Sequence, residues 1–380
     1  MKLFGIISLT VIAHVEFAVA ACPFCGPVGL TLGEKFTQAD SVVLATWQKA
    51  DTKDETSTFQ VVQIARDSLA SLKKNGELTV GQYRQGKAGD LFLLTGSGDE
   101  IIKWDRPIEI TEIGYYYVAQ APSREALPQK RLSYYLRFLQ TRDDTIANDA
   151  FAEFAKAPYE HLLLIQDQLK RERIRGWLES KSTPVNRVGL YALMLGLCGN
   201  SEDAEWMKKE IQKRPEGDFR FGLDGMIAGY LLQTGIKGLD WVDETILTAK
   251  RIPDGEAYEA MKAFEFLWTF NRKQFGAERL KKSLRLNLDR VSLGELVIRD
   301  LARWKDWEVR ERVFKLYGKK GYEYPRARQA IIGYLVACAN DDDDSANVPE
   351  HVLAAHGYLG EIKKQDPKNY RRYARGLEPK

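Results

Sequence analysis

The residues of this chain best placed to do chemistry are Cys22 and Cys25, in the segment Cys-Pro-Phe-Cys. A C-x-x-C pair can close into a disulfide, take part in thiol–disulfide exchange or supply two metal ligands. A catalytic redox pair needs its first cysteine at a helix N-terminus within a βαβ unit. Here no strand precedes the pair, and Gly-Pro-Val-Gly at 26–29 opposes a helix. We therefore expect a structural disulfide, with redox or metal chemistry and lipid attachment at Cys22 as the alternatives.

Residues 1–21 have the pattern of an export signal peptide. The apolar run at 3–13 is too short for a stable transmembrane helix, and the Ala-Val-Ala that follows it is a signal-peptidase pattern. Cleavage is predicted beside Ala20 or Ala21. The Val-Ala-Ala-Cys ending at Cys22 also resembles a bacterial lipobox, which would leave this cysteine lipidated. The sequence thus predicts an exported, periplasmic or extracellular protein, or an envelope-associated lipoprotein.

The composition limits the class of protein. The chain has 380 residues, 44% of them hydrophobic, which is enough for more than one core. Its formal net charge of +3 is too small to indicate a nucleic-acid partner. Four cysteines are too few to staple so long a chain. We expect stability to come from packed cores, no nucleic-acid partner, and membrane contact only if Cys22 is lipidated.

Known catalytic motifs do not occur in the sequence. It contains no H-E-x-x-H, G-x-S-x-G, Walker A or G-x-G-x-x-G segment. His351 and His356 lie five positions apart, about 140° around a helix, so they do not form a zinc-binding pair. His356 falls on an apolar stripe and is predicted to lie in the core, as are Cys198 and Cys338. We predict no catalytic residue, metal or cofactor, and a protein that is not an enzyme.

The N-terminal third is predicted to form a β-domain over residues 22–127. Short runs of β-forming residues alternate there with Gly-rich and Asn-rich turns. Five short strands favour a small closed or partly closed OB-like barrel. Thr31 and Glu34 have capping-box spacing, which predicts a short helix before the first strand. The predicted strands are 41–47, 58–64, 77–83, 90–95 and 101–104.

After Pro128 the hydrophobic period changes from two to that of a helix. Leu132, Tyr135, Leu136 and Leu139 fall at i, i+3, i+4 and i+7, and similar sets recur toward the C-terminus. Short amphipathic helices joined by brief connections must stack on their neighbours to bury their apolar faces. We therefore predict an all-α, HEAT-like α-solenoid domain over residues 128–380, and an α+β protein as a whole.

Two family resemblances add to this prediction. Cys22 and Cys25, followed by Ala-Asp-Ser-Val-Val-Leu-Ala at 39–45, resemble the opening of the netrin-like module of tissue inhibitors of metalloproteinases. That family forms an OB-type barrel, and its N-terminal cysteine chelates a protease's catalytic zinc through its amine and carbonyl. The resemblance covers residues 22–45 only, and the family's other cysteines are absent. It implies barrel topology and, as an alternative function, zinc-metalloprotease inhibition through Cys22.

The whole chain is also similar to a family of exported bacterial proteins. Members of that family pair an N-terminal Cys-Pro-Phe-Cys with a β-domain and a helical-repeat region. Three segments carry this resemblance: 149–155, 195–199 and, most distinctively, Asp-Leu-Ala-Arg-Trp-Lys-Asp-Trp at 300–307. The resemblance implies the architecture and not an activity.

The favoured function is protein binding, because solenoids expose extended concave surfaces that engage partners. Trp304 and Trp307 are candidate anchors of such a surface, with the filling of gaps between stacked helices as the alternative. The main rival function is thiol–disulfide oxidoreductase activity through Cys22 and Cys25. The sequence does not identify the partner.

Overall fold

The computed structural model describes residues 22–213, 220–249, 251–341 and 348–374. The predicted signal peptide and its cleavage residues Ala20 and Ala21 lie outside the described residues. The protein is α+β, as predicted. Its described residues pack into two compact units. The first holds Cys22, Val28–Leu136 and Asp143–Leu164, and the second holds Pro23–Pro27, Arg137–Arg142 and the described residues from Ile165 onward.

The first unit is built on one antiparallel sheet whose path runs β3-β2-β1-β4-β5, with β6 also paired to β4. The five predicted strands are confirmed, and the two-residue β6 was not predicted. Within the described residues the sheet is not closed, and a partly closed, OB-like barrel stays a prediction. The strands are β1 Ser41–Asp51, β2 Thr56–Asp67, β3 Glu77–Val80, β4 Leu91–Ser97, β5 Lys103–Trp104 and β6 Ile108–Glu109.

Alternating residues of these strands form the core under the sheet. Because successive side chains of a strand point to opposite faces, Val42, Leu44 and Leu93 are buried on one face of the sheet, and a larger apolar cluster packs on the other. Phe59 and Phe92 meet edge to face there, with ring centroids 5.3 Å apart. Register shifts between β1 and β2 add local bends to the long first strand. The buried cluster consists of Val43, Ala45, Phe59, Val61, Val80, Phe92 and Leu94.

Helices accompany the sheet in the first unit. Thr31 and Glu34 form the predicted capping box at the start of the first helix, with both reciprocal hydrogen bonds present. The grouping by packing places α3, α4 and part of the following chain with the sheet. The domain boundary predicted between residues 127 and 128 stays a prediction. The helices are α1 Leu32–Gln38, α2 Glu112–Ala119, α3 Pro128–Leu136, α4 Asp144–Lys156 and α5 Tyr159–Leu163.

The second unit contains helices and no strand in its described residues, which confirms the predicted all-α character after Pro128. Its principal helix pairs are α7 with α9, α9 with α11, α14 with α16, and α16 with α17. The helices are α6 Arg171–Glu179, α7 Val188–Cys198, α8 Ser201–Gln212, α9 Leu223–Thr234, α10 Ile236–Val242, α11 Asp254–Phe270, α12 Arg272–Phe275, α13 Ala277–Arg285, α14 Val291–Arg303, α15 Arg310–Phe314, α16 Pro325–Ala339, α17 Glu350–Gln365 and α18 Pro367–Ala374.

Glycines bring the backbones of α7 and α9 into direct contact. A Cβ atom at Gly196 would collide with the backbone of Gly229, and one at Gly229 with the carbonyl of Ala192. At these positions a side chain would have to push the two helices apart. The close approach explains why the central pair of the second unit is rich in small residues.

A buried ion pair fixes the segment that follows α14. Arg285, at the end of α13, holds the carboxylate of Asp306 with two hydrogen bonds of 2.5 and 2.6 Å. The backbone carbonyl of Asp306 accepts a hydrogen bond from the Tyr334 hydroxyl on α16. The pair therefore ties α13, the loop after α14, and α16 together.

Across the described ranges, none of the helices combines the length and the apolar character needed to cross a membrane.

Candidate binding cleft

The two N-terminal cysteines form the predicted disulfide. Cys22 is buried, and its backbone nitrogen donates a hydrogen bond to the carbonyl oxygen of Ala155 at 3.0 Å. Cys25 is partly exposed. Sulfur atoms in a disulfide are not the thiolates that bind metals. Among the described residues, no group of three or more His, Cys, Asp or Glu side chains is placed to hold a metal ion.

Trp304 and Trp307, the candidate partner anchors, are packed inside the second unit. Trp304 stacks flat on Trp268 with ring centroids 4.3 Å apart. The Trp307 indole N–H donates to the Asp341 carboxylate at 2.5 Å, and its ring meets the edge of Tyr334. The two tryptophans are only 5% and 8% exposed. Such burial suits the alternative, in which they fill gaps between helices.

Cys198, Cys338 and His356 were all predicted to lie in the core, but they differ in how far they are buried. Cys338 is buried, as predicted, and Cys198 is half-buried; both are free thiols. Burial raises the pKa of Cys198 to about 11 and that of Cys338 to about 12, which makes both weak nucleophiles at neutral pH. His356 is exposed, so its predicted place in the core is wrong. The apolar stripe predicted the helix correctly, but His356 lies on its exposed face.

A cleft of about 620 Å³ lies between α11, α14 and α16 in the second unit. Each helix contributes residues three or four positions apart, which is the spacing of one helix face. The apolar part of its lining includes Met261, Leu296 and Ala330, and Gly333 leaves space on α16. Sequence reasoning missed this site. The spacing within each helix was readable, but which three faces meet depends on tertiary packing.

Charged side chains are arranged around the cleft in ion pairs. Lys262 contacts the carboxylate of Asp224 and lies 3.3 Å from Glu259 Oε2. Arg299 pairs with Glu295 at 2.8 Å. On α14, the Nη2 atom of Arg303 contacts Asp300 and lies 2.5 Å from Glu265 Oε1.

Two of these carboxyl groups are strongly affected by burial. Burial, together with the nearby charge of Asp224, raises the pKa of Glu259 to about 7 although Lys262 opposes the shift. Burial raises the pKa of Asp300 to about 6, with Arg303 opposing. Carboxyl groups with such values change charge between mildly acidic and neutral pH. The charge of the cleft is therefore sensitive to pH in that range.

A second polar cluster lies in the first unit, beside a smaller pocket of about 130 Å³. Asp149 accepts hydrogen bonds from the Leu32 backbone N–H at 2.5 Å and from the Tyr117 hydroxyl at 2.8 Å. Burial raises the pKa of Asp149 to about 6. Nearby, Arg131 pairs with Glu153 at 2.7 Å. These contacts connect α1, α2, α3 and α4, and their clearest role is to hold those helices together.

Comparison of the chain with protein-family models, with curated protein sequences and with solved structures gave no match.

Proposed function

We propose that the protein is an exported binding scaffold whose helical unit receives a segment of a partner protein in the cleft between α11, α14 and α16. The observation that carries this proposal is the cleft itself. Its volume of about 620 Å³ falls within the range of known binding sites. An apolar floor with charged groups around it is also the usual anatomy of a protein interface.

The side chains in the cleft support binding more than catalysis. Among the lining residues that the structure describes there is no Ser, Cys or His, the side chains that most often act as nucleophile or general base. The two carboxylates in that lining, Glu265 and Asp300, both pair with Arg303. Such pairs orient one another and are suited to recognition.

The finer architecture and the location are part of the same proposal. Successive packing of α7 on α9, α9 on α11, and α14 on α16 supports a degenerate HEAT-like array. An antiparallel sheet with a bent first strand supports an OB-like, netrin-like β-domain. The Cys22–Cys25 disulfide supports an oxidising, extracytoplasmic compartment. Kinship with the exported bacterial family is proposed on the same grounds.

Filling the cleft tests the proposal. A Cβ at Gly333 on α16 or at Gly360 on α17 would meet no atom within 4 Å, and both positions are half-buried in mid-helix. We expect Gly333→Trp to abolish binding of peptides from a charge-varied array to the full mature chain. The matched Gly360→Trp variant should bind like the wild type. If no peptide of the array bound differently to these two variants, the proposal would be overturned.

The alternative activities have less support. An oxidoreductase would need access to the Cys22 sulfur, and a zinc-protease inhibitor would need the Cys22 amine. Cys22 is buried, and its backbone nitrogen donates a hydrogen bond to the carbonyl oxygen of Ala155. An insulin-reduction assay with a Cys25→Ser control tests the first activity. Cysteine-dependent turnover in that assay would bring the oxidoreductase function to the front.

A further inference from the structure

We infer, building on the proposed binding function, that the cleft recognises a short acidic segment of its protein partner through Lys262, Arg299 and Arg303. The charged groups around the cleft lie at different depths. The side chains of the three cations are 31%, 49% and 64% exposed, respectively. Beneath them, the side chains of Asp224, Glu259 and Asp300 are 3%, 3% and 8% exposed. The groups that an approaching partner meets first are thus mainly cationic.

One carboxylate shares the outer layer. Glu265 is 41% exposed and contacts Arg303 from α11. Glu295, the partner of Arg299, is only 14% exposed. The outer layer therefore offers three cations and one clear competitor for them, which favours a ligand with several carboxylates over one with a single negative charge.

The buried carboxylates also hold the cations in place. Both ion pairs of Arg303 run through its Nη2 atom, and a guanidinium carries five N–H donors in a fixed planar fork. An arginine that is already oriented loses less rotamer freedom when a ligand binds. Its planar fork matches a carboxylate, which it can bind with two parallel hydrogen bonds.

The extent of the cleft sets the length of the segment. Its α11 side runs from Tyr258 to Glu265. At 1.5 Å per helical residue this is about 10 Å, which an extended peptide covers with about three residues. A segment of that length with two carboxylates would reach the cations, while an apolar side chain between them could contact Met261 and Leu296.

The raised pKa values of Glu259 and Asp300 add a pH dependence. Glu259 faces Asp224 from α9 and Lys262 on its own helix, and Asp300 faces Glu265 from α11 and Arg303 on its own helix. As these carboxyl groups take up protons below neutral pH, the negative charge beneath the cations falls. Exposed Asp and Glu residues of a ligand stay ionised down to about pH 4. Acidic peptides should therefore bind more tightly as the pH falls from neutral toward that limit.

The test uses three ten-residue peptides that share their apolar residues and carry Glu, Gln or Lys at the same positions. We expect the full mature chain to bind the Glu peptide most tightly, with affinity rising about threefold to tenfold between about pH 8 and pH 5.5. Arg299→Gln and Arg303→Gln should each weaken it about tenfold, the loss expected for a charge-assisted hydrogen bond. Arg312→Gln, whose side chain is 42% exposed and pairs with Asp289 at 2.8 Å, is the matched control and should change affinity less than about twofold.

Each other outcome decides against the inference. If the Lys or Gln peptide bound more tightly than the Glu peptide, and this binding were lost in Gly333→Trp but kept in Gly360→Trp, the inference of an acidic partner would be wrong. The proposed function would still stand. If none of the three peptides showed binding that depends on Gly333, both the acidic partner and the proposed function would be contradicted. Equal affinity for single-stranded DNA or for anionic lipid vesicles, with the same Gly333 and Arg303 dependence, would replace the acidic protein segment by another anion. An affinity that falls on acidification would remove the role assigned to Glu259 and Asp300.

Discussion

Asp306 and Glu308 lie two residues apart and both contact Arg285, but the side chain of Asp306 is fully buried while that of Glu308 is 68% exposed. Removing one member of a buried ion pair leaves an uncompensated charge in a low-dielectric environment. An exposed pair is screened by water and salt. Arg285 therefore pairs with two carboxylates that should contribute very differently to the free energy of unfolding.

We expect Asp306→Ala to lower the free energy of unfolding by about 3–5 kcal/mol, and Glu308→Ala by less than about 1 kcal/mol. Urea denaturation of both variants measures the difference. Similar losses in the two variants would show that burial does not govern this pair.

The raised pKa of Glu259 determines how the free energy of unfolding depends on pH. Because that pKa is about 7 in the folded protein, the folded chain keeps a proton that the unfolded chain releases near its ordinary value. This contribution to stability is complete below about pH 4, falls as the pH rises to about 7, and is then constant.

Glu259→Gln should consequently flatten the stability profile between about pH 4 and 7, removing a decline of at most about 3 kcal/mol. Chemical denaturation at several pH values measures this. Glu361→Gln on α17, an exposed position, is the control and should follow the wild-type profile. A Glu259→Gln profile as steep as that of the wild type would contradict the assignment.

At the scale of elements, the contact between α7 and α9 depends on glycine. Gly229→Ala would drive a methyl group into the carbonyl of Ala192, and overpacking of this kind costs about 1–3 kcal/mol. Gly360→Ala meets no neighbour and should instead stabilise α17 by about 0.5–1 kcal/mol. Thermal unfolding should therefore shift in opposite directions for the two variants. A stabilised Gly229→Ala protein would mean that the helices separate at little cost.

The elements themselves could largely be predicted from the sequence, because strands and helices depend on local periodicity and caps. The capping box at Thr31 and Glu34 is an example, since both of its partners lie within one turn. The two-residue β6 was not predicted, because it lies outside the runs of β-forming residues on which the other strands were predicted. The cleft could not be predicted, since it depends on how faces of α11, α14 and α16 meet. The burial of Asp306 likewise comes from a distant partner, Arg285.

For the molecule as a whole, the state of the cysteines links fold and location. Two of the chain's cysteines are in the disulfide, and Cys198 and Cys338 are free. Buried thiols with raised pKa react slowly with alkylating agents until the protein unfolds. The count of modified thiols therefore reports both the disulfide and the packing around the free pair.

We expect the protein, unfolded without reductant, to take up label at the two free thiols, and after reduction at all four cysteines. Intact-mass measurement gives the count and the mature N-terminus together. The Cys25→Ser control should add Cys22 to the labelled thiols without reductant. A lipidated Cys22 would appear as added mass with Cys25 open to label, and would contradict the disulfide.

Gly333 lines the cleft proposed to bind a partner, yet a side chain there would not meet the packing of the neighbouring helices. The room in the cleft at this point exists because α16 carries no side chain there, and nothing nearby needs the room for packing. A β-carbon can therefore occupy it without meeting a neighbouring atom. Under the proposed binding function, a substitution at this one position would alter partner choice while the chain still folds, so loss of recognition would come with an unchanged or slightly raised melting temperature.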